Sequence, residues 1–589
     1  MGVPYCFAWL KNKKKIKLTS NQNDINQFYI LYFDWNCLFH PECFKVLADN
    51  IDLTNTKKLE DKMFNQIIDY TNFVIRFVNP QKYVYFAVDG VAPLAKIRQQ
   101  RQRRFGYAND YKKEIMDKYK IKYNDSWSNV VITPGTDFMN RLHKKIRKYY
   151  ENESNKKYYC SSTNTNLKIL YSSYHIDGEG EHKILQDIKT RFPKTSKHNI
   201  GIYGLDADLI FLSMASERDN IFLVREENVF KKNNDTSTVE TLIYADMDKT
   251  KLCINQTFRS RIRNYLSGCL DYNDNNNIIS NLQNMSFTND YILICYLLGN
   301  DFLPHFPSID LRREGMELVI DKYIEVFCEY NELIINRDNN GITINSDMFN
   351  DFINTLADEE YTFFKDKLRM FVNREKKYKR CYENEEYKIK IWEIENLIND
   401  DTKDSIKLGI GNESDWKYRY YAHMGSEEHQ EEFKDDICKN YLEGIVWTAK
   451  YYFDDCVTWR WQYNYPHSPL ISDLANYINK TNFDINDVNL QYQESLPIYV
   501  QLLSVLPPKF NNLLPKNYRH LTTTFESPII DMYPLKYDID KTYKSRLYQC
   551  VPLIPNINIE RVISSVEKLK LTDREKRLCT KCTNYIELI

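Results

Sequence analysis

The chain has 589 residues, with 80 Lys and Arg against 81 Asp and Glu. Such a length points to several domains or one large composite, and the near-zero charge balance excludes a global field that would draw in a polyanion, so any nucleic-acid contact has to come from local patches. The 14 scattered cysteines read as reduced, mostly buried thiols and not as a disulfide framework, while 45 Tyr and 30 Phe can bury a large area.

At the start, the apolar VPYCFAWL precedes Lys13–Lys15, the reverse of a secretory signal, and Cys6 stands where a myristoylation signal opening on Met1-Gly2 carries Ser or Thr. Up to about Tyr323, short apolar strands alternate with helical patterns, as in an α/β sheet. Phe28–Phe33 reads as a strand ending at Asp34. Tyr83–Val88 reads as another, closed by Asp89-Gly90. If the chain is helical from Ala95, Lys96, Gln100, Arg103 and Arg104 share one face, because they are spaced by three and four residues. That face could hold a phosphate; the competing reading is a solvated basic helix.

Further along, Lys168–Tyr171 is a short strand that leads into His175-Ile-Asp-Gly-Glu-Gly-Glu-His182 and a helix to about Phe192. Asn199–Tyr203 leads into Gly204-Leu-Asp206-Ala-Asp208. Asn273–Asn277 reads as a surface loop. Tyr291–Leu298 reads as a helix that stops at Gly299-Asn-Asp301, and it is too short to span a bilayer. From about Asn336 to Ser414 the sequence is charged and helix-prone; from Trp416 it is aromatic, and from Pro507 proline punctuates it. The expected organisation is an α/β region over 1–335, a helical connector over 336–414, an aromatic-rich helical region over 415–566 and a tail over 567–589.

Seven acids share one kind of position, the end of a strand or the start of a helix: Asp34, Asp89, Glu179, Glu181, Asp206, Asp208 and Asp301. In a parallel sheet that placement converges them on one edge. Carboxylates gathered in a pocket repel one another and need cations, and hard oxygen ligands select Mg²⁺ or Mn²⁺. Two such ions can activate a water and stabilise the leaving oxygen of an in-line phosphoryl displacement. For any single acid the competing reading is a helix N-cap. Cys579-x-x-Cys582 offers two zinc ligands where a structural site needs four.

In chain order, MGVPYCFAWL, DWNCLFH, FAVDGVAPLAKIRQQRQRRF, ITPGTDFM, DGEGEHKI, YGLDADLIFL and LLGNDFLPHFP resemble the signatures of Xrn/Rat-type 5′→3′ exoribonucleases, members of the flap-endonuclease superfamily. WKYRYY, EGIVW, TWRWQYNYPHSPLISD, LPKNYRHL, SPIIDMYP and VPLIP resemble that family's second region. The resemblance runs from Met1 to about Val566. It implies a Rossmann-like, PIN/FEN-type, mostly parallel central sheet flanked by helices, with the aromatic-rich second region packed against it. It also implies processive hydrolysis of single-stranded RNA bearing a 5′-monophosphate to nucleoside 5′-monophosphates, in RNA turnover.

Residue by residue, the resemblance implies one Mg²⁺ (or Mn²⁺) held by Asp34, Asp89 and Glu181, a second held by Asp206, Asp208 and Asp301, and Glu179 acting nearby through water. Lys96, Gln100, Arg103 and Arg104 match the 5′-phosphate pocket, His40 a base-stacking residue, and Asn36 falls in the same motif. A closing tryptophan is sought in Thr458-Trp459-Arg460-Trp461, with Trp459 preferred; for both, core packing is the competing reading. Three positions depart from the pattern: Asp177 replaces a usual Pro, Leu94 a usual Arg, and Arg98 stands where a neutral residue is usual. The expected partners are single-stranded 5′-monophosphorylated RNA and a decapping or other 5′-end-processing enzyme. The chain is expected to be monomeric and off the membrane, in the cytoplasm or alternatively the nucleus; its AT-rich-genome composition suggests a viral or protist source. Alternatives are a flap-type DNA endonuclease with the same acids and a catalytically silent RNA-binding scaffold.

Overall fold

The computed structural model describes residues 6–589 except 21–24, 26, 109–110, 161–165, 230–238, 269–277, 339–340, 399–403, 427 and 429. The expected loop Asn273–Asn277 therefore lies outside the described residues. The chain folds as two compact units. A sheet unit comprises Ile16–Thr250, Glu494–Lys536 and Ile554–Ile589; a helical unit comprises Met1–Lys15, Lys251–Gln493 and Tyr537–Leu553.

In the sheet unit the strands are β1 (Lys17–Thr19), β2 (Phe28–Asp34), β3 (Tyr83–Ala87), β4 (Lys168–Ser172), β5 (Asn199–Tyr203), β6 (Ile221–Val229), β7 (Val239–Asp246) and β8 (Ile586–Glu587). The described residues place them in one eight-stranded sheet, in the order β1-β7-β6-β5-β2-β3-β4-β8. The five inner strands, β6-β5-β2-β3-β4, are mutually parallel, and β7 and β8 run antiparallel to their neighbours. Parallel strands buried on both faces need continuous apolar runs, and FYILYF, YVYFA and NIGIY supply them.

The order matters for function. From β2 the chain moves outward through β3 to β4, then crosses back to place β5 on the other side of β2. The strand order thus reverses between β2 and β5, where an open α/β sheet leaves a crevice at the carboxyl ends of its strands. Asp34 is the last residue of β2, and Asp206 and Asp208 follow β5. Trp35, the first residue of the helix Trp35–Asp49, is fully buried, lies flat on Phe86 of β3 at 3.8 Å and donates to Thr71 Oγ1 at 2.9 Å. Truncating so large a buried ring costs about 3–5 kcal/mol, so the helix start that carries Asn36, Cys37 and His40 is firmly anchored.

The basic segment forms the helix Leu94–Ala108. The helix Ile498–Val505, from the aromatic-rich part of the sequence, packs beside it. The two are joined by Arg101, whose guanidinium donates to Ser504 O at 2.9 Å and to Met532 O and stacks on Phe105 and Tyr533. Leu94, which stands where the resemblance leads one to expect Arg, is buried.

The helical unit is built from long helices, among them Gly315–Tyr330, Ser346–Thr362, Gln430–Phe453 and Ile471–Thr481, with short hairpins Ile335–Asp338/Gly341–Ile344 and Ile539–Asp540/Val551–Pro552. Its aromatic core includes Trp447, stacked on Tyr451 and Trp461 at 4.8 and 5.3 Å. Among the described residues no helix is long and apolar enough to cross a membrane.

Candidate active site

Six of the seven expected acids lie in the sheet unit, and the topology brings them to the carboxyl ends of β2, β3, β4 and β5. Asp34 and Glu179 occupy helix N-cap positions, yet neither side chain makes a capping hydrogen bond. Asn55 and Thr136, by contrast, do cap their helices. The N-cap reading therefore does not account for these two carboxylates.

The convergence can be measured. Asp89 Oδ1 accepts from Gly180 N at 2.7 Å, tying the loop after β3 to the helix start that carries Glu181. A Cβ on Gly180 would lie 2.8 Å from Asp34 Oδ1 and 3.4 Å from Asp89 Oδ1, so only glycine lets the two carboxylates approach this backbone. Cys37 bridges to the far side: its Sγ donates to Asp34 Oδ2 at 2.7 Å and lies 3.8 Å from Asp206 Oδ2. Ligand atoms of Asp34, Cys37 and Asp206 all fall within 4.8 Å of one another. Asp208 and Glu181 are buried, and their charges act on each other.

Compensation is sparse. Among the described residues Asp34 and Asp89 each meet one hydrogen-bond donor, Asp206 meets only the distant Cys37 thiol, and Glu181 meets none. Burial pushes the Asp34 carboxyl well above the usual range, and the charges of Asp89 and Asp206 add to it. Glu181 is also raised, by burial and by Asp208, Glu179 and Asp34, with Lys96 opposing; Asp89 is raised by burial and Glu179. A pocket of under-satisfied, mutually repelling carboxylates is a place where a hard divalent cation replaces the missing donors. The donor set fits such an ion.

The expected phosphate face adjoins this cluster. Lys96 is buried, and its Nζ pairs with Glu179 Oε2 at 2.5 Å, so one lysine belongs to both features. Gln100, Arg103 and Arg104 are half-buried on the same helix. Gln100 Oε1 and Arg104 Nη1 are buried with no hydrogen-bond partner among the described residues. Arg104 Nη2 donates to Thr133 Oγ1 at 2.8 Å, and burial together with Arg103 lowers its pKa to about 10. His40 lies close enough to feel both guanidiniums. Burial first, then Arg104 and Arg103, push its pKa down to about 4, so the ring is neutral and flat-faced at ordinary pH. Asn36 Oδ1 accepts from Asp89 N at 3.2 Å and so fixes the backbone of a cluster acid.

Asp301 and the two tryptophans belong to the helical unit. Asp301 is buried in a turn where Asn300 Oδ1 accepts from Phe302 N and Leu303 N, both at 2.8 Å. Trp461 is packed against Trp447 and leaves 9% of its surface exposed, as a core residue does. Trp459 is half-buried, and its backbone N–H donates to Gln493 O at 3.1 Å.

Three residues near the cluster escape motif reasoning. Cys37 sits inside DWNCLFH, but a thiol gives no metal-site signal among carboxylates. Thr133, in ITPGTDFM, orients Arg104. Lys183 donates to Val88 O and Ser173 O at 2.7 and 3.0 Å, joining the loops after β3 and β4, and burial lowers its pKa to about 7. Its place one turn after Glu179 in EGEHK was the available signal.

The chain matches two family models: residues 1–227 match the XRN 5′-3′ exonuclease N-terminus, and residues 280–393 and 382–588 match the Xrn1 helical domain. It is 28% identical over 646 residues to human 5′-3′ exoribonuclease 1, covering 99% of this chain and 35% of the relative. With 5′-3′ exoribonuclease 2 of Candida albicans it shares 27% identity, covering 96% and 72%. With 5′-3′ exoribonuclease 1 of Saccharomyces cerevisiae it shares 26%, covering 98% and 44%. The chain thus spans about a third of the human relative's length and about seven tenths of the Candida protein's.

Proposed function

The chain belongs to the XRN 5′-3′ exonuclease family, and from that premise we propose that it is a processive 5′→3′ exoribonuclease acting on single-stranded RNA with a 5′-monophosphate. One observation carries this reading: a cluster of buried and half-buried carboxylates at the β2/β5 reversal, few of whose members meet more than one donor among the described residues, joined through Lys96 to a cationic helix face. The names of the matched relatives support the direction and the substrate class.

In the proposed site Asp34, Asp89 and Glu181 would hold one Mg²⁺, which Mn²⁺ could replace, and Asp206 and Asp208 would contribute to a second. Bound there, such cations supply an activated water and neutralise charge on the leaving oxygen. Glu179, held by Lys96, acts beside the cluster through water. Lys96, Gln100, Arg103 and Arg104 grip the terminal phosphate, whose extra charge distinguishes it from an internal diester. The neutral His40 ring stacks on a base whatever its identity, as single-stranded recognition requires. The roles of Asp301 and Trp459 rest on the sequence resemblance alone. Each release of a nucleoside monophosphate leaves a new 5′-phosphate, so one site can repeat the step. RNA turnover in concert with an enzyme that generates 5′-monophosphate ends is the proposed context.

The test is product analysis. With Mg²⁺ and uniformly labelled 5′-monophosphorylated RNA, nucleoside 5′-monophosphates should appear without intermediate oligonucleotides. Release of an intact flap from branched DNA, with the RNA untouched, would instead support the flap-type endonuclease.

A further inference from the structure

The segment between β4 and the helix Gly180–Arg191 ends at Glu179 and leads directly into Glu181 in the first turn of that helix, and it is fastened on two sides. On the first, Gly90 N donates to Gly178 O at 2.9 Å and Gly178 N donates to Val91 O at 2.7 Å, knitting it to the loop after β3. The packing there is close enough that a Cβ on Gly90 would lie 1.8 Å from Ile176 O. The second fastening comes from residues remote in sequence. Asp177 Oδ2 accepts from Ser495 Oγ at 2.5 Å and from Lys581 Nζ at 2.9 Å, and Lys581 Nζ also donates to Ser495 Oγ at 2.6 Å.

Around this triangle the backbone is tied as well. His175 Nδ1 lies 2.8 Å from Thr580 O, and His175 O accepts from Cys582 N at 2.9 Å. Further on, β8 runs antiparallel to β4, and Leu588 N and Ile169 N exchange bonds with Ile169 O and Ile589 O at 2.9 and 3.0 Å. Residues 580–589 therefore line first the acid-bearing segment and then the strand that feeds it.

We infer that Lys581 and Ser495 are positioning residues for Glu179 and Glu181, acting through the carboxylate of Asp177. The inference rests on the reading of Glu179 and Glu181 as part of a cation centre. Asp177 stands two residues before Glu179, and the two fastenings, Gly178 to the loop after β3 and Asp177 to Ser495 and Lys581, together set the backbone that leads into Glu179. Without Lys581 the part-buried Asp177 loses its ion-pair partner and is left with the Ser495 hydrogen bond, so its hold on the segment weakens. Outer partners of ligand-bearing segments commonly matter about 10–100-fold in metal affinity or activity.

Two roles for Lys581 predict opposite signs. If it merely lent a positive charge near the acids, its removal would tighten cation binding. As a positioning residue, its removal loosens it. The test compares Lys581→Met, Lys581→Arg and Lys581→Met/Asp177→Asn with the parent full chain, by Mn²⁺ binding (electron paramagnetic resonance) and by steady-state RNA hydrolysis against Mg²⁺. Lys581→Met should weaken Mn²⁺ binding and lower kcat, each by about tenfold, with KM for RNA unchanged. Lys581→Arg should restore both, and the double variant should recover part of the loss because no charge is left unpaired. Unchanged or tighter Mn²⁺ binding by Lys581→Met would overturn the inference, as would equal losses in the methionine and arginine variants. If the parent binds Mn²⁺ but hydrolyses no RNA, the proposed function fails while the Mn²⁺ constants still decide this inference. A parent that binds no Mn²⁺ defeats both.

Discussion

Asp34 in the sheet unit and Asp540 in the helical unit are each 5% exposed, yet they are treated in opposite ways. Asp540 accepts from His467 Nε2 at 2.6 Å, His423 Nε2 at 3.0 Å and Thr542 N at 2.9 Å. Burial works against its charge, but the hydrogen bonds from the two histidines overcome it and hold its pKa well below the carboxylate range. Glu360 is likewise given donors, Ile471 N, Ser472 N and Ser472 Oγ at 2.9, 3.1 and 2.5 Å, which oppose the burial that still raises its pKa. Asp34 has one thiol donor and faces the charges of Asp89 and Asp206. A buried acid that has been given donors is part of the framework; buried acids set against one another with few donors are kept for something that arrives from solution.

The largest effect that could break this contrast comes from deleting acids on each side. Asp206→Ala with Asp208→Ala should abolish RNA hydrolysis while RNA binding and the melting temperature in EDTA stay near the parent's, because the change relieves repulsion. Asp540→Ala should instead cost about 3 kcal/mol or more of stability by stranding the buried His467 and removing the partner of the half-buried His423, measured by urea denaturation. If the first pair unfolds the protein, or the second change is silent, the contrast is wrong.

The same contrast fixes the sign of a pH dependence. Asp34 has a raised pKa in the folded state, so the cation-free fold binds more protons than the unfolded chain and loses stability as pH rises from about 4 upward. Asp540 is depressed, so its contribution is present above about 4 and is lost as pH falls below that. In EDTA, Asp34→Asn should therefore gain stability over the parent as pH is raised from 5 to 8; a constant difference would contradict the raised pKa. Cations must displace those protons, so Mn²⁺ should bind more tightly at pH 8 than at pH 6, with proton release seen as a buffer-dependent heat in calorimetry.

Two smaller effects concern the cationic side. Arg103→Ala should reduce the preference for a 5′-phosphate over a 5′-hydroxyl end by about tenfold, the worth of one charge-assisted hydrogen bond, while binding of long RNA changes less. His40, with its pKa near 4, should show no titration between pH 5 and 8 in its ring NMR signals; an inflection near the ordinary 6.5 would place the ring in open water.

Much of this was legible in the sequence because strand ends are. FYILYF-Asp and NIGIY-Gly-x-Asp mark where parallel strands stop, and Asp34 and Asp206 stand at those stops. The helix Leu94–Ala108 was legible too, but its basic run was not uniform. Arg101 points into packing with Ser504, Met532 and Tyr533, contacts made by a segment some four hundred residues later. Spacing reveals which residues share a face, and cannot reveal which distant segment covers the next face. The same limit hid the tie of Asp177 to Ser495 and Lys581, since a single acid in a glycine-rich turn carries no mark of its partner. Cys37 was hidden for a different reason: a thiol among carboxylates reads as a small core residue until its distance to Asp34 is known.

The central claim is that the carboxylate cluster and the cationic helix face act together on a phosphorylated 5′ end. It is tested most directly by giving the purified protein and Mg²⁺ one RNA sequence with a 5′-monophosphate, a 5′-hydroxyl or a 5′-triphosphate and following nucleotide release. Degradation of the monophosphate form with the other two largely spared is the predicted result; equal degradation of all three would contradict it.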